Sequence, residues 1–137
     1  MNGSLTSVKT TQMQQQSVYD ITVLVYDDIL EIIVTGDITD SDTRERLMQE
    51  IIYVEKSTNT KKQLLDVQKL KGRLETLEIY NFVRDYPPDR PRMKVALVDI
   101  PEYARTASFY ETTALNAGLI FKWFSDINDA TNWLKSV

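Results

Sequence analysis

Stretches with a two-residue period alternate along this chain with stretches that repeat every three or four residues, and that alternation decides the class of fold. Ile21, Val23 and Val25 alternate with Asp20, Thr22 and Leu24, the period of a half-buried strand. Asp27-Asp28 supplies a tight turn, and Ile29 to Thr35 forms a second strand, so the two make an antiparallel hairpin ended by Gly36. Asp40-Ser41-Asp42 then opens a helix, with Asp42 and Glu45 at capping-box spacing and Leu47, Ile51 and Val54 on one face. Ser57 to Thr60 breaks it, and Gln63 to Val67 is a third strand. A second helix starts near Leu74, carries Ile79, Phe82, Val83 and Tyr86 as its apolar stripe, and stops at Pro87-Pro88. Met93 to Val98 is nearly continuous apolar sequence, as in a strand covered on both faces. Pro101 suits the first turn of a third helix, whose Ala107, Tyr110, Ala114 and Ala117 face one way, with Gly118 as its C-terminal cap. Leu119 to Phe124 is a fifth strand, and Ser125-Asp126 caps a last helix with Ile127, Ala130 and Leu134 on one face and Trp133 beside them.

The order β-β-α-β-α-β-α-β-α implies an α/β fold with a mainly parallel sheet. Right-handed crossovers between neighbouring strands give a five-stranded mixed sheet in chain order, its first strand antiparallel at one edge. If the order never reverses, the helices lie mainly on one face. The other face then needs a cover: the N-terminal tail, a helix, or a second copy in a homodimer.

The 137 residues fit one domain, assigned to 19–137. Residues 1–18 carry Lys9 as their single charge and few apolar groups, so they are expected to form a flexible tail. They lack the apolar core of a signal peptide, and no stretch approaches the about 18 apolar residues of a membrane span. The expected location is the cytoplasm, without membrane insertion.

Neither Cys nor His occurs, which removes disulfides, Cys/His zinc sites, cysteine nucleophiles and histidine-based triads. The domain's glycines are Gly36, Gly72 and Gly118, too dispersed for a phosphate-cradling loop. Asp37, Asp66 and Asp99 sit at or just past strand ends, where a hard cation could bind, but such loops favour Asp for turns and caps, and no metal or cofactor is assigned. No enzymatic activity is expected. The net charge of −4 argues against nucleic acid as a partner. Charge is unevenly spread: residues 19–55 hold ten acidic and two basic side chains, residues 56–94 ten basic and five acidic. Within the basic block, Lys69, Lys71 and Arg73 follow the third strand and approach the start of the second helix, a place suited to an anionic group or an acidic protein surface.

Over residues 20–136 the chain resembles the SpoIIAA-like group of STAS domains (sulphate transporter and anti-sigma-factor antagonist), in particular the stand-alone bacterial branch described as STAS/SEC14-like. The resemblance rests on the opening hairpin, Leu64-Leu65-Asp66-Val67, Lys94-Val95-Ala96-Leu97-Val98 and the closing run Phe124-Ser125-Asp126-Ile127 through Ala130-Thr131-Asn132-Trp133-Leu134. It implies a SpoIIAA-like βα superhelix and a non-catalytic binding or regulatory module that works through protein–protein contact. In anti-sigma-factor antagonists a Ser or Thr near the start of the second helix, in an Asp-Ser-Ser-Gly-like turn, is phosphorylated to switch partner binding. Here that region reads Lys71-Gly72-Arg73-Leu74-Glu75-Thr76-Leu77, without the turn, and Thr76 is its hydroxyl. Lys69, Lys71, Arg73 and Thr76 are therefore the partner- or anion-binding candidates. The SEC14 comparison offers an alternative, a carrier or sensor of a small apolar or anionic, lipid-like ligand. The aromatic residues of the last third, Tyr103, Phe109, Tyr110, Phe121, Trp123 and Phe124, would then line its pocket.

Overall fold

The computed structural model describes residues 4–10 and 19–136. Strand β1 (Ser4–Thr10) runs antiparallel to β2 (Tyr19–Tyr26), which pairs antiparallel with β3 (Ile29–Asp37). Asp27 and Asp28 both have positive φ, 51° and 62°, the conformation of a tight hairpin turn matched to strand twist. Helix α1 (Ser41–Ser57) leads to β4 (Lys62–Asp66), the two-residue β5 (Leu70–Lys71) and α2 (Thr76–Arg84). β6 (Lys94–Val98), a 3-10 turn (Pro101–Tyr103), α3 (Ala104–Asn116), β7 (Ile120–Phe124) and α4 (Ile127–Lys135) complete the chain.

The strands lie in the order β1-β2-β3-β4-β6-β7, with β5 paired onto β3. β3, β4, β6 and β7 are mutually parallel, so the βα units wind steadily in one direction, as the sequence leads one to expect. The edge differs from expectation. Ser4–Thr10, assigned above to a flexible tail, adds a strand outside β2, so β2 is internal and the sheet has more than five strands. An edge strand needs little apolar surface of its own, because its backbone ladder supplies the pairing. The remainder of the expected tail lies outside the described residues.

Side chains of alternating parity divide the interior in two. Leu30, Ile32, Val34 and Leu97 face a layer made by α1 and α3, where Leu47, Met48, Ile51, Ala107 and Ala114 meet them. Ile29, Leu64, Ala96 and Val98 point the other way, and Ala130 and Leu134 of α4 close over them. The helix α4 thus answers the question of the second face over the middle of the sheet.

Helix ends follow local chemistry. The cap of α1 is Asp40, whose carboxylate accepts the Thr43 backbone N–H at 3.0 Å, two residues earlier than the Asp42–Glu45 spacing suggests. Asp126 caps α4 through the Asn128 and Asp129 amides. At the β7 margin, the Trp123 amide donates to Glu111 Oε1 of α3 at 3.0 Å.

Candidate functional site

The loops following β3, β4 and β6 meet at the C-terminal ends of the parallel strands, beside the start of α2. Arg44, buried, and Arg73, largely buried, fix them there. Arg73 donates from Nε and Nη2 to the two oxygens of Asp99, at 2.8 and 2.6 Å. Its remaining N–H groups go to the carbonyls of Leu70, Gly72 and Val67, and its plane lies 3.8 Å over the Tyr103 ring. Arg44 of α1 donates to Glu78 Oε1 at 2.8 Å and to the carbonyls of Ile38 and Thr39. The same Glu78 oxygen accepts the Glu75 amide at the head of α2. Both guanidinium groups therefore act as multi-pronged ties between loops distant in sequence, the geometry that favours Arg over Lys.

Of the sequence candidates, Arg73 is placed apart from the rest. Its side chain is 10% exposed and every N–H is engaged internally. Lys69 is exposed and makes no ion pair among the described residues. Lys71, 76% exposed, has Nζ 3.9 Å from Asp37 Oδ2, a solvent-screened contact. Thr76 is the exposed first residue of α2, immediately after Glu75.

The three strand-end carboxylates do separate local work. Asp37 accepts the backbone and hydroxyl hydrogens of Thr39, which, with a smaller contribution from Lys71, hold its carboxyl below the ordinary range. Asp66 accepts from the Gln68 amide and side chain. Asp99 binds Arg73 and the Ile100 amide. Among the described residues no group of three or more His, Cys, Asp or Glu could hold a metal ion.

On α2 lies an apolar feature absent from the sequence candidates. Leu77 is 68% and Tyr80 49% exposed, on the outward side of α2. Tyr80, Val83 and Arg84 face Phe109, Thr113 and Asn116 of α3 across a shallow groove. The signal was available: Leu77 and Tyr80 fall off the Ile79/Phe82/Val83/Tyr86 stripe, so their burial was never required by the helix period.

No protein-family model matches the chain, and no curated protein matches it in sequence. Solved structures do resemble it. One is an anti-sigma factor antagonist from Mycobacterium paratuberculosis, with TM-score 0.56 and 16% identity over 86% of this chain and 95% of that one. Another is an uncharacterized protein of the DUF3478 family with a SpoIIAA-like fold from Shewanella loihica PV-4, with TM-score 0.55 and 19% identity over 90% of this chain and 99% of that one. The chain has the SpoIIAA-like fold. Among the described residues no helix is long and apolar enough to cross a membrane.

Proposed function

We propose that this chain, a SpoIIAA-like fold, is a STAS-like non-catalytic protein-binding module. Its contact surface is the loop carrying Lys69 and Lys71 together with the outer faces of α2 and α3. The observation that carries the reading is the exposure of Leu77 and Tyr80 on α2, the helix that follows the loop with the two accessible lysines, with the Arg44 and Arg73 networks tying that loop and the head of α2 to the rest of the domain. A surface fixed before contact loses little entropy when a partner docks. Exposed aliphatic and aromatic anchors on α2, with cations on the preceding loop, suit a protein partner that presents an apolar side chain among acidic groups. The fold neighbour described as an anti-sigma factor antagonist supports a protein partner.

Thr76 is not the hinge of this reading. A phosphate there would sit at a helix N-terminus, which favours it, but beside Glu75, which repels it. Arg73, the nearby cation that could offset the repulsion, is already committed to Asp99.

The test is affinity capture from cell extract with the wild-type chain and two variants, Lys69→Glu/Lys71→Glu and Leu77→Ser/Tyr80→Ser, each first shown to keep its thermal midpoint. A partner retained by wild type and lost by both variants is the expected result. A partner held equally by all three overturns the surface.

A further inference from the structure

Leu65 of β4 and Val95 of β6 occupy the middle of the sheet and point toward the helix layer of α1 and α3. Side chains in that position are normally sealed, yet both are only partly buried. The cause is a gap between the sheet and α2. Phe82 and Val83 of α2 roof it, Leu65 and Val95 floor it, and the space left is an apolar cavity of about 110 Å³. Ile120, at the start of β7, is its most exposed lining residue and marks its opening to solvent.

We propose that this cavity binds a neutral, benzene- to phenol-sized molecule whose polar group bonds the Tyr110 hydroxyl. The volume is of the order of the ~150 Å³ engineered apolar cavity known to take up benzene. Neutrality follows from the charged groups on the wall. Arg90 is locked to both oxygens of Glu55, at 2.7 and 3.1 Å, and Glu55 also accepts from Gln63. Arg73 is saturated by Asp99 and three carbonyls. Among the described residues of the wall no unpaired cation is left to neutralise an anion, and an unpaired buried charge is costly. The anionic ligand weighed from sequence therefore does not suit this cavity.

The polar group is assigned from Tyr110. Its ring stacks on Phe121, with centroids 4.6 Å apart and planes within 3°. The ring lines the cavity, but no described residue hydrogen-bonds its hydroxyl. Unlike the guanidinium and carboxylate groups on the wall, this hydroxyl is not committed to a described residue, so it is open to a ligand donor or acceptor. The proposal adds a small-molecule site to the partner surface and stands separately from it, since none of Lys69, Lys71, Leu77 and Tyr80 lines the cavity.

Methyl-labelled protein titrated with benzene and with phenol, followed by NMR, tests it. Saturable shifts at Leu65 and Val95 are expected with both probes, phenol binding about fivefold more tightly through one hydrogen bond. Tyr110→Phe, which keeps the stacked ring, is expected to bring phenol down to the affinity of benzene. Leu65→Phe is expected to abolish both; if it does not fold, the wild-type titration still decides the site and Tyr110→Phe the polar group. The site is overturned if neither probe gives saturable shifts at the cavity methyls, or if shifts gather around Tyr80 instead. An unchanged phenol preference in Tyr110→Phe overturns the assignment of the polar group.

Discussion

Arg73 combines a sequence position that reads as surface with a role that is structural. It follows Lys69 and Lys71 in a short, polar, glycine-containing run, which is how an accessible cationic loop looks in one dimension. Its partner Asp99 is 26 residues away, and nothing local announces the pairing. Removing one member of a buried pair leaves the other uncompensated, so Arg73→Ala is expected to lower unfolding free energy by about 3–5 kcal/mol in urea titration. Gly72 is constrained twice. Its φ is +90°, and a Cβ there would approach the Thr39 backbone nitrogen to 2.9 Å. Gly72→Ala should cost more than the roughly 1–2 kcal/mol of left-handed strain alone. Gly118→Ala, also at positive φ but with nothing within 4 Å of the added carbon, should cost only that strain. Thermal and denaturant midpoints of the two variants side by side check the difference. Lys69, Lys71 and Thr76 belong to one strand–loop–helix segment, which keeps together only what is already near in sequence.

At the scale of elements, period was informative and partnership was not. The hairpin, the four helices and the parallel strands follow from two-residue and helical repeats and from Pro, Gly and Asp punctuation. Strand β1 escaped that reading because an edge strand carries a weak apolar signal. The exposed side of α2 escaped it because a helix stripe specifies what faces inward and leaves the outward residues undetermined. Helix α4 is the clearest case of an element whose position matters more than its pattern. Among the described residues it is the helix that contributes to the smaller core, where Leu134 and Ala130 pack on Ile29, Leu64, Ala96 and Val98. Leu134→Ala is therefore expected to cost about 2–5 kcal/mol, read from the denaturant midpoint. Its Phe124–Trp133 contact should loosen with it, visible as a change in tryptophan emission.

For the whole molecule, the absence of His and Cys leaves no side chain with an ordinary pKa near neutrality, and the buried tyrosines add a pH sensitivity on the alkaline side. Burial first, then hydrogen bonds to Glu50 and Glu31, raise the pKa values of Tyr19 and Tyr26 well above the ordinary phenol range. Burial raises those of Tyr86 and Tyr110 as well. A folded-state pKa above the unfolded one means that the unfolded chain releases its proton first. The stabilisation is complete below about pH 10 and declines as pH rises beyond it toward the folded values. Denaturant midpoints measured from pH 8 to 11 should be flat and then fall. Phenolate absorbance should show Tyr19, Tyr26, Tyr86 and Tyr110 ionising late and cooperatively with unfolding.

Because the strands succeed one another without reversal, β7 ends the sheet with a margin that no further strand of the described residues pairs with. Glu111 already occupies the Trp123 amide there, and Lys122 projects a charge beside it. A strand from a neighbouring molecule would have to evict a carboxylate and accommodate an ammonium group before it could add to the ladder. Fibrillar growth is thereby discouraged at this margin by the chain's own side chains.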